Sequence, residues 1–424
     1  MPWYEDPFIQ EMMGLMGGRA MRSIMSGFKA NMVFSGDTGI IGAIDYLDKS
    51  LNEDDKRVLL ITDDFTKKFA PILKEIFSFT NFEVKLFDGV KPEVPYETIE
   101  EGVNFCKEFR PSVLIAIGGG SVMDCAKIVH IAYERPEINL MNIDAISGAV
   151  GLHKKAKHLV AVPTTIGTGS EVTTAALFND TRRKPHKKIA ISCDDILPTM
   201  VILHPDFVKT LPPFLTMGTG LDTFAHAMGA YVSNYNNPLT SALNITAIKE
   251  TLHYLPRLVK HGSKDIEGWE HMQWAALMAG LGFSNAMPGI EHAMGHSFGA
   301  IMGVHHGYSV GLFTPSSVAW QSKVTERWRD LCPLFGVKTE GLSRQKSIES
   351  LCDSIQSFVR SVGGAASVKE VKNPVIDETH YHENIPVMAK YSLNDIAHLA
   401  SYRPIKLEDY IEIFEKTWEG NLVY

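Results

Sequence analysis

Ser112-Val-Leu-Ile-Ala-Ile-Gly-Gly-Gly-Ser121 is the stretch on which the fold turns. Its apolar run has none of the alternation of a strand with one wet face, so it reads as a parallel strand buried on both sides. Three glycines follow, and Val122 to Tyr133 then carries apolar residues at helical spacing. A strand, a glycine turn and a helix in that order leave free backbone N–H groups and the positive end of a helix dipole facing an anion. A side chain on Gly118, Gly119 or Gly120 would hold a pyrophosphate away from the backbone, and glycine also admits φ values closed to other residues. Ser121 adds a hydroxyl at the same place. An ordinary strand-to-helix turn carries the same pattern, so the stretch needs support from its surroundings.

That support comes from both sides. Arg57-Val-Leu-Leu-Ile-Thr62, Glu83-Val-Lys-Leu-Phe87, His158-Leu-Val-Ala-Val162 and Met200-Val-Ile-Leu203 are similar runs, each bounded by Gly, Pro or Asp and separated by amphipathic stretches. From about Asn31 to Pro205 the chain therefore reads as an α/β domain with a parallel sheet. A second loop, Pro163-Thr-Thr-Ile-Gly-Thr-Gly-Ser170, follows its strand as the first does, with Thr164, Thr165 and Thr168 as hydroxyl donors and Thr173 just beyond. Ligands of open α/β sheets bind at the carboxyl ends of strands, where both loops fall, so a nucleotide cofactor is expected there. Asp63 ends the strand from Val58. A carboxylate there accepts hydrogen bonds from a ribose hydroxyl and repels a 2′-phosphate, which favours NAD over NADP, although a helix-capping aspartate would look the same. The usual GxGxxG pattern is absent, since Ser35-Gly-Asp-Thr-Gly39 has the wrong spacing.

Past Asp206 the strand-like runs fade, and stretches such as Leu239 to Leu258 and Leu407 to Trp418 take over with helical spacing broken by Pro and Gly. The reading is an N-terminal extension over 1–30, an NAD-binding α/β domain over 31–205 and an all-helical domain over 206–424. No Ser/Gly linker separates the halves, so a cleft between them is the expected seat of the chemistry. A length of 424 residues suits two domains, and 45% hydrophobic with 21% charged residues excludes disorder. The net charge of −8, with no Lys/Arg block, argues against a nucleic-acid partner. Five cysteines with no CxxC pair argue against a disulfide framework or a thiolate zinc site. With no leader pattern and no membrane-length apolar run, a cytoplasmic protein is expected, without a membrane partner. The Met-rich stretch Glu11 to Arg22 reads as core or subunit contact rather than a partner-binding helix.

The helical half holds a second concentration of chemistry. In Thr219-Gly-Leu-Asp-Thr-Phe-Ala-His-Ala-Met-Gly-Ala230, Asp222 and His226 are four residues apart and share a helix face. Gly289-Ile-Glu-His-Ala-Met-Gly-His-Ser-Phe-Gly299 repeats the device with His292 and His296, and His305 and His306 follow before Gly307. Any one histidine is more often a structural group, but the joint spacing suggests a mixed oxygen and nitrogen site. Asp222, His226, His292 and His306 would suit Fe(2+), Zn(2+) or a similar ion.

These motifs occur together and in order: Gly118-Gly-Gly-Ser-Val-Met-Asp124, Pro163 to Thr173, Gly220 to His226, Gly282-Phe-Ser-Asn285, His292-Ala-Met-Gly-His296 and His306-Gly307. Through them the sequence resembles the iron-containing (group III) alcohol dehydrogenases from about Ala30 to Trp418. The resemblance implies a dehydroquinate synthase-like architecture, usually a homodimer, with the metal held at Asp222, His226, His292 and His306. It adds Asp124 to the cofactor-binding positions, places Lys188 beside the cofactor phosphates and puts His296 near the nicotinamide. Three departures stand out: about thirty residues precede the usual family start, His305 doubles the loop histidine, and the segment from Asn179 to Lys188 is slightly long. His306 is preferred to His305 as ligand because it directly precedes the glycine.

The expected activity is reversible hydride transfer between NAD(H) and a small alcohol or aldehyde, with a metal polarising the substrate oxygen and His296 relaying the alcohol proton. A glycerol-dehydrogenase-like or other polyol or hydroxyacid oxidoreductase shares this fold. A metallohydrolase, in which the glycine loop holds a substrate phosphate, is the rival from another class. The full Asp-His-His-His set and Gly282–Asn285 favour the alcohol dehydrogenase.

Overall fold

A computed structural model describes residues 28–140, 149–184 and 187–424, so the Met-rich stretch lies outside the described residues. The chain divides into two compact units, one of residues 30–212 with 261–280, the other containing 213–260 and 281–424. By packing, 206–212 and 261–280 group with the α/β unit.

The α/β unit contains strands β1 (Met32–Ser35), β2 (Arg57–Asp63), β3 (Glu83–Val90), β4 (Val113–Gly118), β5 (His158–Pro163), β6 (Ala175–Asp180), β7 (Lys187–Ser192) and β8 (Met200–Leu203). Six of them form a parallel sheet in the order β1-β8-β5-β4-β2-β3, and β6 with β7 makes a separate antiparallel hairpin. Helices α1 (Gly36–Ser50), α2 (Ala70–Phe77), α3 (Tyr96–Phe109) and α4 (Gly120–Glu134) follow β1 to β4 in turn. Every position of β4 is buried, which is why its sequence is apolar without alternation. On one side Ile115 and Ile117 pack with Val58, Leu60, Val160 and Val162 against Ile44, Leu47, Leu73 and Phe77 of α1 and α2. Each such side chain contributes roughly 1.5–3 kcal/mol by leaving water.

The chain leaves β2 for β3 on one side, and leaves β4 for β5 on the other. The connections therefore diverge between β2 and β4, and a crevice at such a switch point is where doubly wound sheets take their ligands. Asp63 ends β2 and Gly118 ends β4.

The other unit is helical, with no strand beyond Leu203 among the described residues. Its helices are α5 (Pro213–Tyr231), α6 (Pro238–His261), α8 (Ile290–Met302), α9 (His306–Gln321), α10 (Arg344–Ser361), α11 (Glu378–Leu393) and α12 (Leu407–Thr417); most of α7 (Ile266–Ser284) belongs to the α/β unit. All residues of α5 from Thr216 to Tyr231, and of α9 from Gly307 to Gln321, are buried, the pattern of helices enclosed on all sides. Gly307 lets these two helices touch through their backbones, because a Cβ there would collide with the Gly218 carbonyl oxygen. This contact sets His306 of α9 beside Asp222 of α5.

Candidate functional site

In the α/β unit the two loops singled out from sequence lie against each other. Gly118 pairs with Pro163 in the β4/β5 register, and the Thr164 N–H donates to the Gly118 carbonyl at 3.0 Å. A Cβ on Gly119 would stand 3.1 Å from the Thr165 methyl group, and one on Gly120 3.1 Å from that of Thr168. The glycines therefore make room for the threonine loop. The conformational freedom of glycine is not used at these positions: none of Gly118 to Gly120 has positive φ, and the left-handed residue of the two loops is Gly169, at φ 62°. Ser121 sits half-buried in the first turn of α4. The buried Thr165 Oγ1 has no hydrogen-bond partner, so the fold leaves it available to a ligand at the helix N-terminus.

The remaining cofactor candidates divide. Asp63 Oδ1 accepts from the N–H groups of Phe65 (3.0 Å) and Thr66 (2.7 Å) and from the Thr66 hydroxyl (2.7 Å), which in turn lies 3.0 Å from the Ile117 carbonyl oxygen of β4. Asp63 thus closes the turn after β2 and caps no helix, since the next helical turn begins at Lys67 behind Thr66. Asp124 accepts from the Ser170 hydroxyl at 2.7 Å and from the Leu177 N–H at 3.0 Å, so both of its oxygens brace the loop and the hairpin. Lys188 is exposed on β7 opposite Asn179.

Sequence reasoning passed over Lys127 and Glu171. The buried Lys127 ammonium donates to Ser170 Oγ (3.0 Å), Thr173 Oγ1 (2.9 Å) and the Ala175 carbonyl (2.8 Å), pinning the far end of the second loop to α4. Burial pushes this ammonium down to about 8, against the pull of Asp124 and Glu171. Burial likewise raises the Glu171 carboxyl to about 7, with its own backbone amide and Lys127 acting the other way. A lysine between Ala126 and Ile128 in an otherwise apolar helix phase was the available signal.

The helical unit brings the predicted metal ligands together. Around Asp222 Oδ1 stand His306 Nε2 at 3.2 Å, His226 Nδ1 at 3.6 Å and His292 Nε2 at 3.7 Å. Asp222, His292 and His306 each offer an atom within 4.8 Å of the others, while His226 stands outside that mutual group, its ring stacked on His292 with centroids 4.4 Å apart. Ligand atoms about 2.1 Å from one tetrahedral ion are roughly 3.4 Å apart, so the spacing fits a shared cation. Asp222 Oδ1 and His292 Nε2 are buried and make no hydrogen bond, a costly arrangement unless something positive satisfies both. Burial alone would raise the Asp222 carboxyl, but His226, His306 and His292 outweigh it and hold it well below the usual carboxylate range. His305 is turned elsewhere, with its ring edge-on to Phe214 at 5.6 Å.

His296 lies beside this cluster, its ring stacked on His306 with centroids 5.1 Å apart, and it is partly exposed. Its Nδ1 is 2.8 Å from Asp395 Oδ2, while Asp395 Oδ1 accepts from the Ala397 N–H at 2.8 Å. Asp395, 99 residues further along, could not be paired with it from sequence.

Comparison with known proteins identifies the family. Two family profiles match in tandem, "Iron-containing alcohol dehydrogenase" over residues 37–205 and "Fe-containing alcohol dehydrogenase family, C-terminal" over residues 216–418. The chain is 30% identical to the NADPH-dependent butanol dehydrogenase of Clostridium saccharobutylicum, over 85% of this chain and 89% of that one. The chain belongs to the iron-containing alcohol dehydrogenase family. This family member is also 30% identical to the NAD-dependent methanol dehydrogenase of Bacillus methanolicus, over 85% of this chain and 92% of that one. Its fold matches the crystal structure of a 1,3-propanediol oxidoreductase with a TM-score of 0.81 and 25% identity, over 92% and 99% of the two chains. The family assignment makes it an oxidoreductase of the alcohol dehydrogenase and aldehyde reductase type.

Proposed function

We propose that this family member is a metal-dependent NAD(H) alcohol dehydrogenase that works reversibly on a short, uncharged alcohol and its aldehyde. The observation that carries this reading is the convergence of the buried Asp222 Oδ1 and His292 Nε2 with the half-exposed His306 Nε2, none of them a thiolate. With His226 they would hold one divalent ion, Fe(2+) or alternatively Zn(2+), availability deciding between metals of similar affinity. When bound, such an ion favours alkoxide over alcohol and polarises a carbonyl, while nicotinamide takes or gives the hydride.

The chain's own residues supply the rest. Gly118 to Gly120 with Ser121, Thr164, Thr165 and Thr168 cradle the pyrophosphate, Lys188 offers a cation to the phosphates, and Asp63 faces the ribose. Asp124 and Thr173 support the loops from below. His296, fixed through Nδ1 by Asp395, keeps Nε2 to take the alcohol proton and pass it to solvent. Phe283, stacked on the His226 ring at a centroid distance of 4.0 Å, puts an apolar surface beside the ligands and supports an uncharged substrate. A cytoplasmic homodimer completes the reading. It agrees with there being no helix, among the described residues, long and apolar enough to cross a membrane.

The test is a panel of short alcohols with NAD, and of aldehydes with NADH, on protein loaded anaerobically with iron or with zinc. NADH absorbance should change with metal-loaded wild type and not with His292→Ala. Turnover by a metal-free His292→Ala protein would overturn the assignment, and phosphate-ester hydrolysis with no change in NADH would support a hydrolase instead.

A further inference from the structure

Glu291 precedes His292 in the first turn of α8, and its side chain is wholly buried in the helical unit. Neighbouring helix residues do not ordinarily face each other. Here the carboxylate turns back toward the helix start, where Oε1 accepts from the Gly289 N–H at 2.8 Å and lies 2.9 Å from His292 Nδ1. Gly229 of α5 provides the space, since a Cβ there would collide with the Glu291 carboxyl group. Oε2 is buried without a hydrogen bond, and no lysine or arginine forms an ion pair with Glu291 among the described residues. A buried carboxylate costs several kcal/mol unless a compensating charge lies near.

The contact determines which nitrogen of His292 carries hydrogen. A carboxylate only accepts, so Nδ1 must donate, and in the neutral ring Nε2 then presents a lone pair. That lone pair lies 3.7 Å from Asp222 Oδ1, a spacing that a cation shared by the two would satisfy. Glu291 and Asp222 thus hold the ring from its two ends.

We infer that Glu291 is a positioning residue of the metal centre, holding His292 in the tautomer and orientation that ligate and adding negative charge behind the imidazole. The inference rests on the metal reading proposed above. Partners of this kind orient a ligating imidazole and raise its basicity, and losing one lowers metal affinity about 10–100-fold.

The experiment uses the full chain with Co(II) as the probe, comparing wild type, Glu291→Gln, Glu291→Leu and His292→Ala by chelator competition and by the ligand-field absorption of the bound ion. The Gln amide oxygen can still accept from Nδ1–H, so this variant should weaken binding about 10-fold; the Leu variant, lacking any acceptor, should weaken it about 100-fold and alter the spectrum. Thermal unfolding of the metal-free variants is the control, and Glu291→Gln should stay close to wild type because its amide oxygen can still accept from the Gly289 N–H. Equal Co(II) affinity and an unchanged spectrum in both Glu291 variants would overturn the inference. So would a loss confined to metal-free stability, which is what a purely structural carboxylate would produce. If Glu291→Leu does not fold, the Gln variant decides. Should wild type bind no Co(II), or His292→Ala bind it equally well, the metal reading itself fails, and this inference with it.

Discussion

Asp63 Oδ1 holds the turn after β2, while Oδ2 has no partner among the described residues and remains available to a ribose hydroxyl. The two duties can be separated. Asp63→Asn keeps an oxygen for the turn but removes the charge, so discrimination against NADPH, read as the ratio of kcat/KM values, should relax with little change in Tm. Asp63→Gly should relax it too and also cost about 1 kcal/mol of stability through the lost turn hydrogen bonds. Unchanged discrimination in both would remove the ribose role. Glu171 makes a prediction about pH. Its folded-state value of about 7 lies above the ordinary 4.5, so between those values the folded state binds more protons than the unfolded one. The Glu171 contribution to stability should therefore fall as pH rises through that window and level off above it. Denaturant unfolding of Glu171→Gln should lose this slope, and parallel wild-type and variant curves would contradict the burial argument. The candidates Asp222, His226, His292 and His306 were legible because helical spacing pairs Asp222 with His226 and His292 with His296, and Gly307 marks His306. The roles of Lys127 and Asp395 were not legible, because they depend on Ser170 and His296, which only folding brings near; that of Glu291 was not, because adjacent helix residues do not ordinarily face each other.

The same contrast holds for elements. The central strand β4 was evident as an unbroken apolar run because both of its faces are covered. β1 has four residues and none fully buried, and its run carries no comparable signal. The hairpin of β6 and β7 carries no clear signal either; β6 buries alternate positions while its residues, Ala-Ala-Leu-Phe-Asn-Asp, do not alternate in polarity. Among helices, periodicity identified α5 and α6 but not how closely α5 and α9 approach. That approach makes Gly307→Ala informative, because the new methyl group must push apart the two backbones that present Asp222 and His306. The substitution should cost about 1–3 kcal/mol and lower metal occupancy, measured by thermal unfolding and elemental analysis. Gly42→Ala in α1, where the added carbon meets only the Phe34 ring at 3.6 Å, should be neutral or stabilising. Equal behaviour of the two variants would contradict the close crossing.

At the scale of the whole molecule, composition and the change from strand-like to helical patterning were enough to show an α/β half followed by a helical half. The return of 261–280 to the α/β unit was not legible, because a helix carries no mark of the unit it packs in. The nucleotide-cradle candidates all belong to one unit and the metal-ligand candidates to the other. Damage to the metal centre should therefore leave nucleotide binding intact. The most direct test is the metal content of wild type, Asp222→Asn and His292→Ala after anaerobic reconstitution with Fe(2+) and removal of loose ions, alongside NADH titration by fluorescence. One ion per chain in wild type, almost none in either variant and undiminished NADH affinity in all three is the predicted result. Equal iron in all three proteins would contradict the claim that these side chains share a metal.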